Sequence, residues 1–243
     1  DVEVKNCSAI GARTLLYAHT SSLTLERTFF HDNLLLGAAD LSDLVNNAPK
    51  EGLIEGYATR ISVKNSIFTN NEASVLFFNQ DSSGIVVHST FARNAVYAIT
   101  INRNLGVDLV VGNNVFAFNG YGLFVGNPAN TVIHNNYFFQ TGEVQGVIVD
   151  SPANQPMPGA GSAIRNIVEL NAVTLDGWDF NYSAGNPRFV DVENNNVRLG
   201  ADSFCVDTAD IEALYSVDVD YDKNPRGLMS DVGAFESTID GDR

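Results

Sequence analysis

Val63-Lys64-Asn65-Ser66-Ile67-Phe68-Thr69-Asn70-Asn71 is one of five segments that share a pattern. Each reads apolar-x-apolar, two or three polar residues, an aromatic, then Asn or another polar residue. The others are Leu25-Glu26-Arg27-Thr28-Phe29-Phe30-His31-Asp32-Asn33, Val86-Val87-His88-Ser89-Thr90-Phe91-Ala92-Arg93-Asn94, Val110-Val111-Gly112-Asn113-Asn114-Val115-Phe116-Ala117-Phe118-Asn119 and Val132-Ile133-His134-Asn135-Asn136-Tyr137-Phe138-Phe139-Gln140. A weaker copy, Val4-Lys5-Asn6-Cys7-Ser8-Ala9, precedes them. Phe68, Phe91, Phe116 and Phe138 follow one another at intervals of 23, 25 and 22. Phe30 and Phe68 lie 38 apart, so that repeat carries an insertion of roughly fifteen residues, placed near 38–58.

After each segment comes a second short apolar stretch: Val75-Leu76-Phe77-Phe78, Ala98-Ile99-Thr100-Ile101, Gly122-Leu123-Phe124-Val125 and Gly146-Val147-Ile148-Val149. Brief strands joined by polar turns, with no useful helical periodicity, point to an all-β chain. A period near 23 with two or three strands per repeat predicts a right-handed parallel β-helix. The leucine-rich repeat shares that period but needs a Leu-x-x-Leu-x-Leu spacing that is absent, and propeller blades are longer. Dividing the chain by the period gives roughly eight to ten coils, a rod about 40–50 Å long at about 4.8 Å per coil. Coils are assigned to residues 1–175.

The 27 Asn residues acquire a mechanism in this frame. At a tight corner Asn tolerates the left-handed conformation, and stacked Asn side chains hydrogen-bond from coil to coil. Asn65, Asn113 and Asn135 are therefore read as a structural ladder, and Phe68, Phe91, Phe116 and Phe138 as an internal aromatic stack.

The net charge of −15 excludes nucleic acid as a partner class. No run of 18 apolar residues is present, so no helical membrane span is expected. Fifteen of the acidic and five of the basic residues fall between Asp176 and Arg243, marking an acidic closing region of the solenoid over residues 176–243.

That region contains Asn186-Pro187-Arg188-Phe189-Val190-Asp191, Val197-Arg198-Leu199, Ser203-Phe204-Cys205-Val206-Asp207, Asp220-Tyr221-Asp222-Lys223-Asn224-Pro225-Arg226 and Asp231-Val232-Gly233-Ala234-Phe235-Glu236. The ordered series resembles the closing region of bacterial right-handed parallel β-helix proteins of the choice-of-anchor Q group, which are related to polymorphic outer-membrane-protein repeats. The series departs from that pattern at Phe204, where Pro is usual, and at Lys223, where Gly is usual. The Gly-Gly-Ala-Ile companion of the outer-membrane repeats is missing. The resemblance implies a secreted or surface-attached bacterial protein, usually larger than this chain, and no particular reaction. Right-handed β-helices include polysaccharide lyases, glycoside hydrolases and adhesins, so the fold alone does not choose.

Candidate chemistry is sought on the outward side of the strand stack formed by the second apolar stretches. With Leu76/Phe78, Ile99/Ile101 and Leu123/Val125 facing inward, alternation sends Phe77, Asn79, Thr100, Asn102, Phe124 and Asp150 outward. In the first coil the equivalents are Tyr17 and His19. Tyr17, Phe77, Asn79, Asn102 and Phe124 are the candidate glycan or partner contacts, unless the chain itself covers them. The segment Ala38–Asn47 is a candidate amphipathic cover. A lyase needs a base, and carboxylates where it uses calcium; a glycosidase needs paired carboxylates. Arg103, Asp150 and His19 are the candidates for such a role, though each has a plainer reading as a solvated flank or turn residue.

Asp218, Asp220 and Asp222 alternate as in a calcium loop, but Lys223 and Met229 stand where an EF-hand wants Gly and Glu. Calcium is the one cofactor the sequence suggests. Cys7 and Cys205, near opposite ends of the chain, are not expected to pair. The chain begins inside a coil without a cap, which suggests a segment of a longer protein or end-to-end self-association through the first coil. These features favour a non-catalytic extracellular or cell-surface rod, adhesive or scaffolding. The alternatives are a polysaccharide lyase or hydrolase, and a glycan-binding module.

Overall fold

A computed structural model describes residues 1–12, 16–34, 52–102, 108–125, 131–139, 147–149, 186–210 and 217–237. The chain winds through three strands per coil. The first coil is β1 (Val2–Lys5), β2 (Ser8–Ile10) and β3 (Leu16–His19). The second is β4 (Ser22–Glu26), β5 (Phe29–His31) and β6 (Ile54–Tyr57), and the third β7 (Arg60–Lys64), β8 (Ile67–Thr69) and β9 (Leu76–Asn79). Then come β10 (Ser83–Val87), β11 (Thr90–Ala92), β12 (Tyr97–Asn102), and β13 (Leu109–Gly112), β14 (Val115–Ala117), β15 (Tyr121–Val125). The last described coil is β16 (Thr131–His134), β17 (Tyr137–Phe139) and β18 (Val147–Val149). Each strand pairs in parallel with its equivalent one coil away, which builds three six-stranded sheets.

Among the described residues each sheet has six strands, against the eight to ten coils expected from chain length, and five spacings of about 4.8 Å give a stack about 24 Å long. The insertion is also narrower than expected: β6 is a regular rung of the third sheet, so the extra chain falls between Leu34 and Gly52.

Register explains the core. Phe30, Phe68, Phe91, Phe116 and Phe138 are partners in successive strands of the second sheet. Their rings stack at 5.4, 4.8, 5.1 and 4.8 Å with interplanar angles of 8–14°, and all are buried. Leu25, Val63, Val86, Val111 and Ile133 from the first sheet and Leu76, Ile99 and Leu123 from the third complete one continuous interior. A parallel stack with both faces of a sheet buried favours such runs of Val, Ile, Leu and Phe.

Each coil turns through left-handed residues at its corners. Asn6, Arg27, Asn65, His88, Asn113 and Asn135 form one column, with φ between 46° and 54°. Asp32, Asn70, Arg93 and Phe118 form a second, and Thr20, Ala58 and Gln80 a third. The Asn column is only partly a ladder. Asn135 Nδ2 donates to Asn113 Oδ1 at 2.7 Å, but His88 interrupts the column and Asn65 Nδ2 reaches the Val219 carbonyl instead. The continuous ladders lie one residue further on, where the side chain turns inward under the corner. Asn33, Asn71, Asn94 and Asn119 pass amide hydrogen bonds of 2.7–2.8 Å from coil to coil. At the first corner Thr28, Ser66, Ser89, Asn114 and Asn136 do the same with side-chain oxygens accepting backbone N–H groups. These buried acceptors and donors satisfy corner peptides that no strand can reach.

The C-terminal region does not extend the solenoid. Residues 186–210 and 217–237 lie as a strap along its side, with a small antiparallel pair, β19 (Phe189–Asp191) and β20 (Asn196–Leu199). Its Val197, Ala234 and Phe235 pack on Ile67 and Ala92, and its Cys205 and Val232 pack on Val115, Ala117 and Tyr137. These coil residues face away from the interior, so the strap closes the outer side of the second sheet from β5 to β17, while Ile10 on β2 stays exposed. The corner asparagines fasten it: Asn113 Nδ2 donates to the Asp210 carbonyl at 2.8 Å and Asn135 Nδ2 to the Thr208 carbonyl at 2.9 Å. At the next corner Asn70 Nδ2 donates to Asn195 Oδ1 at 2.5 Å, and Arg93 pairs with Glu193.

Within the strap, Arg226 is buried and donates to the Asp231 and Gly233 carbonyls, to Asn65 Oδ1 and to the Glu236 carboxylate. Burial pushes the Glu236 carboxyl up to about 7 despite Arg226, and also raises Asp231. An acid raised in the folded state holds its proton more tightly there. Its stabilising contribution is complete below the ordinary Glu value of 4.5 and is lost as pH rises through about 7. Thermal stability of the strap is therefore expected to fall between pH 4.5 and 7, and Glu236→Gln, measured by melting across that window, is expected to flatten the fall.

Both cysteines are free thiols, Cys7 exposed and Cys205 buried on the inner side of the strap against the coils, where burial raises the Cys205 thiol to about 12. One thiol is expected to react with Ellman's reagent in the native protein and the second only on unfolding. Two fast thiols would show that the strap does not bury Cys205 against the coils.

Candidate functional site

The outward side of the third sheet carries two side-chain columns fixed by register. Tyr17, Glu55, Phe77, Thr100 and Phe124 occupy one, and His19, Tyr57 and Asn79 the other. The face divides in two. Over the later coils it is closed: Phe77 and Thr100 are fully buried and Phe124 is 7% exposed. Phe77 lies outside the interior cluster that holds Phe78, so it does point outward, and the chain entering β6 covers it. A Cβ at Gly52 would stand 2.7 Å from the Phe77 Cβ, which is why a residue without a side chain is needed there. Of the two readings open for Phe77 and Phe124, contact with a glycan or partner and cover by the chain itself, their burial fits the second.

Over the first coils the same face is open. Tyr17 is 62% exposed, His19 is exposed, and Glu55, Tyr57 and Asn79 are half-buried. The His19 and Tyr57 rings stack at 4.9 Å and 15°. Stacked along the coil axis, they present their edges outward. Thr20 Oγ1 lies 3.0 Å from His19 Nδ1, so that ring nitrogen is engaged by its neighbour in the chain. Asn79 Nδ2 donates to Glu55 Oε1 at 3.2 Å, while Asn79 Oδ1 accepts the Gln80 N–H at 3.0 Å, so the Asn79 amide orients the carboxylate from the next coil. Neighbouring coils place these groups about 4.8 Å apart, and neighbours along a strand about 7 Å apart. A flat array of hydroxyl, imidazole and carboxylate beside an exposed ring can hold a polyhydroxylated ligand by hydrogen bonds and stacking.

Tyr17, His19 and Asn79 thus meet at one place, whereas Arg103 and Asp150 lie outside the described residues, as does the candidate cover Ala38–Asn47. Asn102 takes its expected register position, Cα opposite Asn79. Glu55 and Tyr57 were not found from sequence because the insertion broke the phase of the repeat just before them. The alternation in Leu53-Ile54-Glu55-Gly56-Tyr57, 22 residues before Val75, is the signal that marks them.

The acidic alternation in the strap has other partners. Asp220 is fully buried, its carboxylate accepting the Asn224 N–H at 2.7 Å, the Asn224 amide at 3.0 Å and the Glu236 N–H at 2.9 Å. Asp222 pairs with Arg198, which also lies 4.3 Å from the Phe235 ring centroid. Among the described residues no three or more His, Cys, Asp or Glu side chains converge as a metal site would require. A shallow cleft of about 500 Å³ runs along the second corner beside Arg93, Asn94, Phe118 and Asn119. Its polar groups belong to the corner ladder or hold the strap.

None of the described helices is long and apolar enough to cross a membrane. No curated protein and no solved structure matches the chain. The model of the right handed beta helix region matches residues 1–156, the part that forms the stacked coils. With its three parallel sheets, corner ladders and that match, the chain belongs to the right-handed β-helix family.

Proposed function

We propose that this chain is a non-catalytic segment of a secreted or surface-attached bacterial protein, a rigid rod that contacts glycan through the open end of its third sheet. The observation that carries the reading is the cluster of Tyr17, His19, Glu55 and Tyr57 at the open end of the third sheet. The strap covers the second sheet from β5 onward and the described later coils of the third face are buried, whereas this array is an exposed and chemically varied surface. Aromatic rings, a carboxylate and an oriented amide suit adhesion to sugar. The likeness of the C-terminal series to choice-of-anchor proteins supports the location, as does a surface with little Lys and a net charge of −15. The rod geometry supports the scaffolding role: cross-coil hydrogen bonds and a side strap resist bending.

Size-exclusion profiles of acidic and neutral polysaccharides, taken after incubation with the protein, test the reading. The expected result is an intact polymer that co-elutes with protein. Depolymerisation that disappears in Glu55→Gln would contradict it and make the chain a hydrolase or lyase.

A further inference from the structure

We infer that the outer side of the first sheet around β7 is a second contact surface, which takes the sulfate groups of a sulfated polysaccharide. It lies on a different sheet from the open face above and does not rest on that reading. In this acidic chain most described cations are engaged by carboxylates: Lys5, Arg27, Arg93, Arg188, Arg198 and Arg226 each form an ion pair. Among the described residues Arg60, Lys64 and Lys223 form none, and two of these three stand on one face of one strand. Ile61 and Val63 of β7 are buried in the interior, so Arg60, Ser62 and Lys64 alternate outward at intervals of about 7 Å. Register sets Thr24 of β4 beside Ser62, about 4.8 Å away at the backbone. Arg60 is exposed, and Thr24, Ser62 and Lys64 are half-buried, so two hydroxyls lie between two cations where solvent reaches them.

The acids nearest in register have partners of their own. Glu26, opposite Lys64, is held by Lys5 and Arg27, and Glu3, opposite Thr24, is held by Lys5. Asp1 Oδ1 accepts the Ser22 hydroxyl at 2.6 Å. Asp108 stands two coils from Arg60, about 10 Å at the backbone, which exceeds the screening length of about 8 Å in physiological salt. On the side of the later coils the surface ends at Ile85, opposite Ser62, where Val217 of the strap packs on an apolar strip. A sulfate ester stays charged at any ordinary pH and offers three terminal oxygens in different directions. Cations and hydroxyls from two strands match that demand, whereas a planar carboxylate is satisfied by one guanidinium fork. The net charge of −15 repels such a polymer at long range, but salt screens that repulsion before it weakens direct contacts.

The test is retention of the full chain at pH 7 on agarose carrying dextran sulfate, beside agarose carrying unmodified dextran and a sulfopropyl cation exchanger. With a pI near 4.4 the chain as a whole is repelled by either anionic matrix, so retention reports a local site. The expected result is retention on dextran sulfate alone. It should be weak at about 0.01 M salt, where the screening length is about 30 Å, strongest near about 0.15 M, and lost near about 1 M. Arg60→Gln and Lys64→Gln are each expected to weaken binding about tenfold at an unchanged melting temperature. Lys223→Gln, which removes the third unpaired cation, and Tyr17→Ala, on the open third face, are expected to leave it unchanged. Equal retention on the sulfopropyl matrix would reduce the surface to ion exchange and overturn the inference. So would competition by soluble polygalacturonate as strong as by dextran sulfate, retention that survives the Arg60→Gln, Lys64→Gln double variant, or no retention at any salt. Each of these leaves the reading of the third sheet to its own test.

Discussion

Asn94→Ala is expected to destabilise the protein by about 3–6 kcal/mol, among the largest effects of any single substitution. Asn94 is the middle of the second-corner ladder and is buried. Its Oδ1 accepts both the backbone N–H and the side-chain amide of Asn71, at 3.2 and 2.7 Å. Its Nδ2 donates to the Phe68 carbonyl at 3.0 Å and to Asn119 Oδ1 at 2.8 Å. Removing the amide takes the acceptor from the Asn71 peptide N–H and from the Asn71 side-chain amide, and one donor from the Phe68 carbonyl, in a place water does not reach, and each group left unsatisfied costs about 1–3 kcal/mol. Asp has nearly the shape of Asn but lacks the two donors, so Asn94→Asp is expected to do at least as much damage. Asn79→Ala, on the half-buried outer face, is expected to change stability by less than about 1 kcal/mol. Chemical denaturation of the three variants beside the parent checks the order.

Arg226→Met is the second large effect, and it is expected to depend on pH. The guanidinium is buried among Glu236, Asp231 and the Asp231 and Gly233 carbonyls, and it links the strap to Asn65 of the coils. Breaking a buried pair by removing one member typically costs 3–5 kcal/mol, because the other charge is left uncompensated. Here Glu236, with its carboxyl near 7, escapes part of that penalty by taking a proton. Above pH 8 the loss should fall in the range of about 3–5 kcal/mol, whereas near pH 5 it should be smaller. Burial also pulls Arg226 down from its ordinary value, so the site is strained toward neutrality from both sides. Melting curves at the two pH values read the difference; equal losses at both would show that Glu236 does not neutralise in the folded state.

The core was legible in the sequence because two independent regularities coincide there. Alternation sets which residues face inward, and the 22–25-residue interval puts Phe68, Phe91, Phe116 and Phe138 in one column, where the structure has them stacked. The asparagine ladders were half legible. Composition requires Asn at the corners, yet in Asn113-Asn114 and Asn135-Asn136 the two neighbours have different tasks, and sequence does not say which one turns inward. The first takes the left-handed backbone and fastens the strap, while the second joins the ladder.

Alternation also reports direction without coverage. Phe77 points outward as expected, but the chain near Gly52 lies on it. The strap was misread for a related reason: its composition shift was visible, but lateral packing on Ile67, Ala92 and Val115 leaves no periodic signature. Glu55 and Tyr57 were lost to the insertion, which removed the spacing by which every other coil was recognised.

The strap closes the second sheet from β5 onward while the first coils of the third sheet stay open to solvent, and hydroxyl-radical footprinting reads both halves in one experiment. Tyr17 and His19 are expected to oxidise rapidly, whereas Tyr137 and Phe235, buried between strap and coils, are expected to stay protected until the protein unfolds. Oxidation of Tyr137 and Phe235 as fast as Tyr17 would place the strap away from the second sheet and contradict the account.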